Sequence, residues 1–364
     1  MRYYKMRKLI IITLCLAWML PIAAREIFPV PKGDFAPRTY TALRPCSPII
    51  IDGRLDDESW QKTPFTEDFV DIEGEPRPKP FLQTRVKMLW DDEALYIGAE
   101  MIDPHIWGKL TQRDAVIFHD NDFEVFIDPD GDTHDYYELE INALGTVWDL
   151  FLIKPYRDRQ QVAVNAWDIR ELEYAVHIEG SLNDPSDTDQ AWYIEMKIPM
   201  QTLQECAHKE IPPPEGDYWR VNFSRVHWIT IVQDGIYHKV PTRPEYNWVW
   251  SPQGLIAMHY PERWGYLFFS HAKAGSDYVQ AKIPEIETAK EYLRQLYYKQ
   301  KQYEMDHGKY ARNLRQLRAK KLRYRGRKVP LKIERTSQSY IITLGPTKDL
   351  PRMCIREDGL LWLP

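Results

Sequence analysis

The stretch Asp120-Asn121-Asp122-Phe123-Glu124-Val125-Phe126-Ile127-Asp128-Pro129-Asp130 decides the fold, because apolar and polar side chains alternate along it. Side chains two residues apart point to the same face of a β-strand. The alternation therefore predicts a strand with one face in the core. The positions expected on the buried face are Phe123, Val125 and Ile127.

The other face of this strand is a candidate binding surface. It carries the carboxylate of Glu124 beside the ring of Phe126, and Phe118 and His119 lie just upstream. An acid with aromatic rings nearby is suited to a ligand that carries hydroxyl groups. The alternative is an ordinary solvated sheet face.

Further strands with the same period follow at short intervals. The expected strands are 48–53, 84–90, 94–101, 136–142, 146–152, 192–198, 219–223 and 264–270. Gly, Pro and Asp turns separate them, which is typical of an all-β, antiparallel β-sandwich of the immunoglobulin or jelly-roll kind. Four tryptophans are in phase with inward positions and are expected in the core, namely Trp60, Trp90, Trp192 and Trp219.

The first residues have the composition of an export signal. Four basic residues precede the apolar run Leu9–Leu20, and Ile22-Ala23-Ala24 supplies the small residues of a cleavage site. Residues 1–24 are therefore predicted to be a signal peptide, cleaved near Ala24, and the mature protein to be secreted or periplasmic. No later stretch is long and apolar enough to predict a membrane span.

The charge changes sign along the chain, which indicates two units. Residues 25–272 contain 23 Lys/Arg and 43 Asp/Glu, whereas residues 273–335 contain 18 and 7. We expect a Pro-rich lead-in at 25–47, the sandwich at 48–272 and a basic α+β segment at 273–364. Attraction between opposite charges would dock the two units on each other. In an exported protein the basic segment does not favour nucleic-acid binding.

The C-terminal segment combines helical and strand patterns. Apolar residues recur near helical spacing from Ile286 to Tyr303, after Pro284 and before Gly308. Residues 313–317 suggest another helical turn, and strands are expected at 332–334, 339–344, 353–355 and 360–363. This segment is therefore expected to be a small α+β unit.

Cysteine usage does not indicate a disulfide framework. Cys46, Cys206 and Cys354 remain after signal cleavage, and their spacing fits no metal motif. An oxidising compartment would allow one bridge with one thiol left over, and the pairing is open.

Several polar side chains are expected on one face of the sheet when the strands are placed side by side. They are Glu124, Glu138, Glu140, Asn142, Glu195, Arg220 and Asn222. Arg220 and Arg85 would pair with the acids, because a half-buried carboxylate needs a partner. One interpretation is a surface that hydrogen-bonds sugar hydroxyls, and the other is an internal charge network.

The segment Asn247-Trp248-Val249-Trp250 lies among loop signals and is a second candidate for ligand contact. Two indoles separated by one residue point the same way on an extended chain. Exposed rings stack on the apolar faces of pyranoses, so Trp248 and Trp250 are predicted to touch a sugar.

The acidic run Asp128-Pro129-Asp130-Gly131-Asp132 is a candidate metal site. It is not an EF-hand, because its glycine is displaced and no glutamate stands at the twelfth position. Asp128, Asp130 and Asp132 could still hold a structural calcium ion, and the alternative is an acidic hairpin turn. No other cofactor is expected.

Five segments together resemble a known family. They are Ile51-Asp52-Gly53-x-Leu55-Asp56-Asp57-x-x-Trp60, Leu89-Trp90-Asp91-Asp92-x-x-Leu95-Tyr96, Asp122-x-Glu124-x-Phe126-Ile127-Asp128, Arg220-Val221-Asn222-Phe223-x-Arg225 and Trp264-Gly265. In this order, over about residues 48 to 270, they resemble a family 9 carbohydrate-binding module. The resemblance implies a β-sandwich that holds sugars, often chain ends of xylan or cellulose, between two aromatic rings. It also implies structural calcium and frequent attachment to glycoside hydrolases.

The resemblance assigns roles by position. Phe118 stands where the family has one stacking Trp, Trp250 with Asn247 resembles the second ring and its Asn, and Glu124 resembles the ligand-contacting acid. Glu138 and Glu140 depart from the family, which carries an Arg on that strand. The basic tail is not covered, and its residues 297–317 are faintly similar to the helix-to-loop portion of pilin-like subunits.

These observations favour a secreted, non-catalytic protein that binds plant-type polysaccharide or oligosaccharide in support of carbohydrate catabolism. The alternative is an O-glycosyl hydrolase that uses Glu124 with a second carboxylate. In a third interpretation the basic tail docks a partner, either a glycoside hydrolase or a surface assembly protein. The sequence contains no nucleophile elbow, HExxH or Gly-rich phosphate loop that would indicate another chemistry.

Overall fold

The computed structural model describes residues 27–75, 77–158, 161–278 and 280–364. The predicted signal peptide at residues 1–24 lies outside these ranges. The helices are α1 (Glu58–Gln61), α2 (Met200–Gln204) and α3 (Ile286–His307), with 3-10 helices at Ile117–His119, Tyr156–Asp158 and Pro261–Arg263. The strands are β1 (Thr39–Arg44), β2 (Val70–Asp71), β3 (Thr84–Trp90), β4 (Ala94–Ile102), β5 (Asp122–Asp128), β6 (Tyr136–Asn142), β7 (Val147–Leu152), β8 (Ala163–Val164), β9 (Glu173–Glu179), β10 (Ala191–Pro199), β11 (Tyr218–His227), β12 (Thr230–Gln233), β13 (Ile236–Lys239), β14 (Tyr246–Val249), β15 (Gly265–Lys273), β16 (Arg323–Tyr324), β17 (Arg327–Lys328), β18 (Leu331–Arg335), β19 (Tyr340–Leu344), β20 (Met353–Arg356) and β21 (Leu361–Trp362).

Two sheets form the sandwich. The front sheet has the order β8-β7-β6-β5-β11-β15, and the back sheet has the order β3-β4-β10-β9. Strand β1 joins them, since it pairs in parallel with β15 and, through Leu43 and Leu89, with β3. Strand β15 pairs with the first half of β11, and strand β14 pairs with the second half on the same side. The other side of β14 pairs with β2. The predicted β-sandwich with a smaller C-terminal unit is confirmed.

The main core lies between the two sheets. Phe123, Val125 and Ile127 face it from β5, as the alternation predicted. All four tryptophans expected in the core are almost completely buried, namely Trp60, Trp90, Trp192 and Trp219. Burial of this many large apolar side chains is the main favourable contribution to folding.

The segment predicted as a lead-in contains β1, so that prediction was wrong for residues 39–44. Tyr40 and Ala42 point into the core at period two, but the prolines on either side obscure this short pattern. Residues 48–53 do not form the predicted strand. The backbone of this segment is held in place by a side-chain carboxylate instead. Glu195 Oε2 accepts the N–H groups of Asp52 and Gly53, each at 3.0 Å.

Glu195 is therefore not part of the polar face to which the sequence assigned it. It lies on β10 of the back sheet, and its Oε1 also accepts the indole N–H of Trp60 at 2.7 Å. Burial raises the pKa of Glu195 to about 7, against the effect of the Trp60 and backbone hydrogen bonds. Its role is to hold the segment that precedes α1 against the sandwich.

A buried ion pair connects the two sheets. Arg225 on β11 of the front sheet donates to Asp103 Oδ2 at 2.8 Å, to the carbonyl of Ile102 at 3.0 Å and to Thr84 Oγ1 at 3.1 Å. Neither charged side chain is exposed by more than 2%. Burial raises the pKa of Asp103, and the Arg225 charge opposes this.

The C-terminal unit packs α3 against the sheet β18-β19-β20-β21. Gly308 ends the helix with φ of 63°, a left-handed conformation that glycine adopts without strain. The predicted helix and strands are confirmed, whereas residues 313–317 form turns and no helix. Cys46, Cys206 and Cys354 are all free thiols. In the described residues no helix has the length and apolarity needed to span a membrane.

Polar contacts attach α3 to the sandwich. Tyr298 donates its hydroxyl to Glu262 Oε1 at 2.6 Å, and Arg294 donates to the carbonyl of Gly131 at 3.0 Å. Lys301 Nζ lies 2.6 Å from Asp158 Oδ1. In this ion pair the C-terminal segment supplies the cation and the sandwich supplies the anion, as the charge distribution predicts. The C-terminal unit is thus held on the sandwich by buried hydrogen bonds as well as by charge.

Candidate functional site

A cleft of about 340 Å³ opens on the outer face of the front sheet. Its volume is in the range of small-molecule binding sites. The lining residues come from β5, β6, β7, β11, β14 and the loops that cover them. They are Ile72, Phe118, Glu124, Phe126, Glu138, Glu140, Trp148, Tyr156, Val226, Glu245, Asn247, Ile256, Ala257, Met258 and His259.

Carboxylates from two neighbouring strands form the floor. Glu124 on β5 stands opposite Glu140 on β6, and Phe126 stands opposite Glu138. The three acids therefore share one face of the sheet, as the sequence predicted. All three are nearly inaccessible to solvent, as is Asp122 at the end of β5.

Burial of several like charges perturbs the acids strongly. Burial raises the pKa of Glu124 to about 7, and the charge of Glu245 acts in the same direction while the Ser224 hydroxyl opposes it. Burial, followed by the neighbouring carboxylates, raises the pKa of Glu138 and Glu140 well above the ordinary value. Such like charges cannot all stay ionised without a counter-charge.

His259, which lines the cleft, cannot supply that counter-charge at neutral pH. Burial, with the charge of Arg157, lowers the pKa of His259 to about 3. Its Nε2 lies 4.0 Å from Glu138 Oε1, and its Nδ1 hydrogen-bonds the hydroxyl of Tyr136 at 2.8 Å. His259 is therefore a neutral hydrogen-bonding group in this site.

Three aromatic side chains surround the acidic floor. Phe118 is fixed by its own amide, which donates to Glu140 Oε2 at 3.0 Å. Trp148 on β7 stands opposite Glu140, half-buried, and Tyr156 is 45% exposed with its ring 4.4 Å from that of His259. Sequence reasoning missed Trp148 and Tyr156. Trp148 could have been found, since pairing of β6 with β7 places it on the same face as Glu140.

The prediction that Trp248 and Trp250 contact ligand was wrong. Both rings lie in the core between the sheets, and Trp250 is completely buried. Tyr246–Val249 is not a loop but strand β14, hydrogen-bonded to β11 and to β2. The indoles do point the same way, but inward, and Asn247, which precedes Trp248, points into the cleft.

The position of Trp250 explains the Trp264-Gly265 pair. A Cβ atom on Gly265 would lie 2.3 Å from Cζ3 of Trp250, which no packing arrangement tolerates. Gly265 is therefore needed for the indole to approach the backbone of β15. The pair is a packing feature of the core.

Three other sequence-based assignments differ from the structure. Arg85 is not in the cleft, because it lies on β3 of the back sheet and pairs with Glu100. Arg220 pairs with no cleft acid and instead donates to the carbonyls of Pro261 and Glu262 at 3.3 and 2.5 Å. His119 does not line the cleft, although its ring lies 4.7 Å from that of Phe118.

The structure brings Asp128, Asp130 and Asp132 together, with one oxygen from each within 4.8 Å of the others. Asp128 accepts the amides of Gly131 and Thr133 at 2.9 and 3.0 Å. Burial, with the neighbouring carboxylates, raises the pKa of Asp130 to about 9 and that of Asp132 to about 7. Three carboxylate donors at this spacing fit a calcium ion. The loop also contacts the C-terminal unit, since Arg294 donates to Gly131.

A comparison with protein families agrees with the sequence motifs. Residues 51–211 match the model of the family described as "Carbohydrate family 9 binding domain-like". A search of curated proteins found no match.

Three solved structures are similar to this chain, and each is covered completely. One is a candidate carbohydrate-binding protein from Bacteroides uniformis ATCC 8492 (14% identity, 65% of this chain, TM-score 0.47). The other two are a family 9 carbohydrate-binding module from Caldicellulosiruptor kristjanssonii with cellotriose (15%, 68%, 0.42) and with glucose (16%, 66%, 0.40). The family match ends before the basic tail, whose similarity to pilin-like subunits stays a prediction. Residues 51–211 of this chain are thus similar in sequence to the carbohydrate family 9 binding domain-like family.

Proposed function

We propose that this protein binds a saccharide, without cleaving it, in the cleft on the front sheet. The observation that carries the proposal is the convergence of three aromatic rings, an acidic floor and Asn247 in one concave site. The family match at residues 51–211 supports it.

The chemistry of the cleft suits a pyranose. The C–H face of a sugar ring packs on aromatic rings by dispersion, which Phe118, Trp148 and Tyr156 can provide from around the floor. Hydroxyl groups at the ring edge donate to carboxylate oxygens and to the amide oxygen of Asn247. Ligands of this class are the plant-type polysaccharides and oligosaccharides, xylan and cellulose fragments among them. The signal peptide predicted at residues 1–24 supports a role in their use outside the cytoplasm.

Trp148→Ala is expected to weaken saccharide binding at least tenfold. The change removes the largest ring of the cleft while Val147 and Asp149, which point the other way, keep β7 in place. A tenfold loss corresponds to about 1.4 kcal/mol, which is within the range for one stacked aromatic ring. Calorimetry with xylan and cellulose oligosaccharides measures the effect.

Phe81→Ala is the matched control. Phe81 is 57% exposed and does not line the cleft, so its removal should leave the affinity unchanged. Absence of binding across a broad glycan panel, or equal affinity of Trp148→Ala and the unchanged protein, would contradict the proposal.

A hydrolase remains the second candidate because Glu124 and Glu140 are direct cross-strand neighbours in the cleft. Two adjacent carboxylates are the groups that glycoside hydrolysis requires. Release of reducing sugar from an oligosaccharide, lost in Glu124→Gln while binding persists, would establish this alternative. A binding protein releases no product with either form.

We also propose a structural calcium ion at Asp128, Asp130 and Asp132 and a docking role for the basic tail. The clustered carboxylates support the first proposal, and the charge of residues 273–335 supports the second. Calorimetry with Asp130→Asn tests the ion. Pull-down of a glycoside hydrolase or surface assembly protein, lost when exposed tail lysines are changed to glutamate, tests the docking role.

A further inference from the structure

Three buried carboxylates converge at the floor of the cleft. One oxygen each of Asp122, Glu124 and Glu140 lies within 4.8 Å of the other two. They project from β5 and β6 toward the same face, because Asp122 and Glu124 are two residues apart and Glu140 stands opposite Glu124. Oxygens bound to one calcium ion at its usual distances are separated by at most about 5 Å. The spacing therefore suits one shared cation.

The floor also contains carboxylate oxygens that lack hydrogen-bond partners. Neither oxygen of Asp122, a completely buried residue, has a partner within hydrogen-bond geometry, although the amide of Val226 lies close by. Oε2 of Glu138, which also lines the cleft, is likewise buried without a partner. A buried carboxylate that accepts no hydrogen bond is strongly unfavourable unless a cation or a proton neutralises it.

No basic side chain of the described residues neutralises this cluster. His259, which is neutral at pH 7, lies 4.0 Å from Glu138, and no Lys or Arg in residues 27–75, 77–158, 161–278 and 280–364 pairs with Asp122, Glu124, Glu138 or Glu140. The acidic cluster Asp114, Asp149 and Asp168 is different. Arg113 reaches both Asp149 and Asp168, so a cation is already present there.

We propose that Asp122, Glu124 and Glu140 bind a calcium ion at the floor of the cleft, and that this ion offers open coordination positions to the hydroxyl groups of the saccharide. Calcium takes six to eight oxygen ligands, so three carboxylates leave room for further donors on the open side. The contact with saccharide rests on the proposed function, whereas cation binding does not. This site is separate from the loop Asp128-Asp130-Asp132, whose carboxylates accept their own backbone amides.

Calorimetry of the whole, chelator-treated chain with CaCl2 tests the proposal. Asp130→Asn serves as the background, because it removes the loop site and leaves the cleft unchanged. We expect this variant to bind one calcium ion per chain, with an affinity that falls at least tenfold when Glu140→Gln is added. Asp168→Asn, a change in the cluster that Arg113 already neutralises, should leave the affinity unchanged.

The isosteric Glu124→Gln provides a second variant, and near-UV circular dichroism shows that each variant is folded. An unchanged calcium stoichiometry and affinity in folded Glu140→Gln and Glu124→Gln would overturn the proposal. Titration with cellotriose and xylotriose, with and without CaCl2, separates the two proposals. Calcium binding without any saccharide binding contradicts the proposed function alone, and saccharide binding that is the same in chelator contradicts the role of the cation alone.

Discussion

Asp103→Ala is expected to lower the free energy of unfolding by about 3–5 kcal/mol, the cost of leaving a buried charge without its partner. The change leaves the guanidinium of Arg225 between the two sheets, where Asp103 Oδ2 accepts from it at 2.8 Å. It also removes the oxygen that accepts the amide of His105 at 3.0 Å. Urea unfolding followed by tryptophan fluorescence measures the loss.

Two comparisons make this prediction specific to the ion pair. Asp92→Ala removes a surface partner of Arg44, and because Asp92 is 66% exposed the loss should stay below about 1 kcal/mol. The double variant Asp103→Leu/Arg225→Met replaces both charges with apolar groups and should recover most of the stability. If the double variant were as unstable as Asp103→Ala, the loss would come from packing and not from the unpaired charge.

Period two was sufficient to predict most of the sandwich. Strands such as β5, β6 and β10 alternate over seven to nine residues, and each places one set of side chains in a continuous core. Strand β1 could not be predicted in the same way. It is short, lies among prolines, and owes its central position to parallel pairing with two strands distant in sequence.

The site was predicted in part, and the error with the largest effect on it is the placement of two tryptophans. Phe118, Glu124 and Asn247 lie in the cleft. Strand alternation predicted the outward position of Glu124, whereas Phe118 and Asn247 were assigned to the site through the family resemblance. Trp248 and Trp250 were assigned to the surface because prolines and glycines flank them. A loop and a strand at the edge of a sheet look alike in sequence, and only the pairing of β14 with β11 shows which face the indoles take.

Glu262→Gln is expected to lower the free energy of unfolding by about 3 kcal/mol at pH 7. Glu262 lies in the 3-10 helix before β15, its Oε1 is 2.7 Å from Arg157 Nη1, and it accepts the hydroxyl of Tyr298 from α3 at 2.6 Å. Burial alone would raise the pKa of Glu262, but the charges of Arg157 and Arg294 lower it from 4.5 to about 2. A change of that size corresponds to about 3 kcal/mol. The variant should therefore weaken the attachment of the C-terminal unit to the sandwich.

The contribution of Glu262 to the free energy of unfolding is expected to fall as the pH is lowered. Since the folded-state pKa of Glu262 lies below the unfolded value, its stabilisation is complete above about pH 4.5 and is lost as the pH falls through about 2. The difference between Glu262→Gln and the unchanged protein should thus be largest at pH 7 and close toward pH 2 in urea unfolding. Glu285→Gln is the control, because Glu285 and its partner Arg325 are both about half exposed and contribute little. Equal destabilisation by Glu262→Gln at pH 7 and pH 2 would contradict this prediction. It would show that packing of the Glu262 side chain, and not its negative charge, holds α3 on the sandwich.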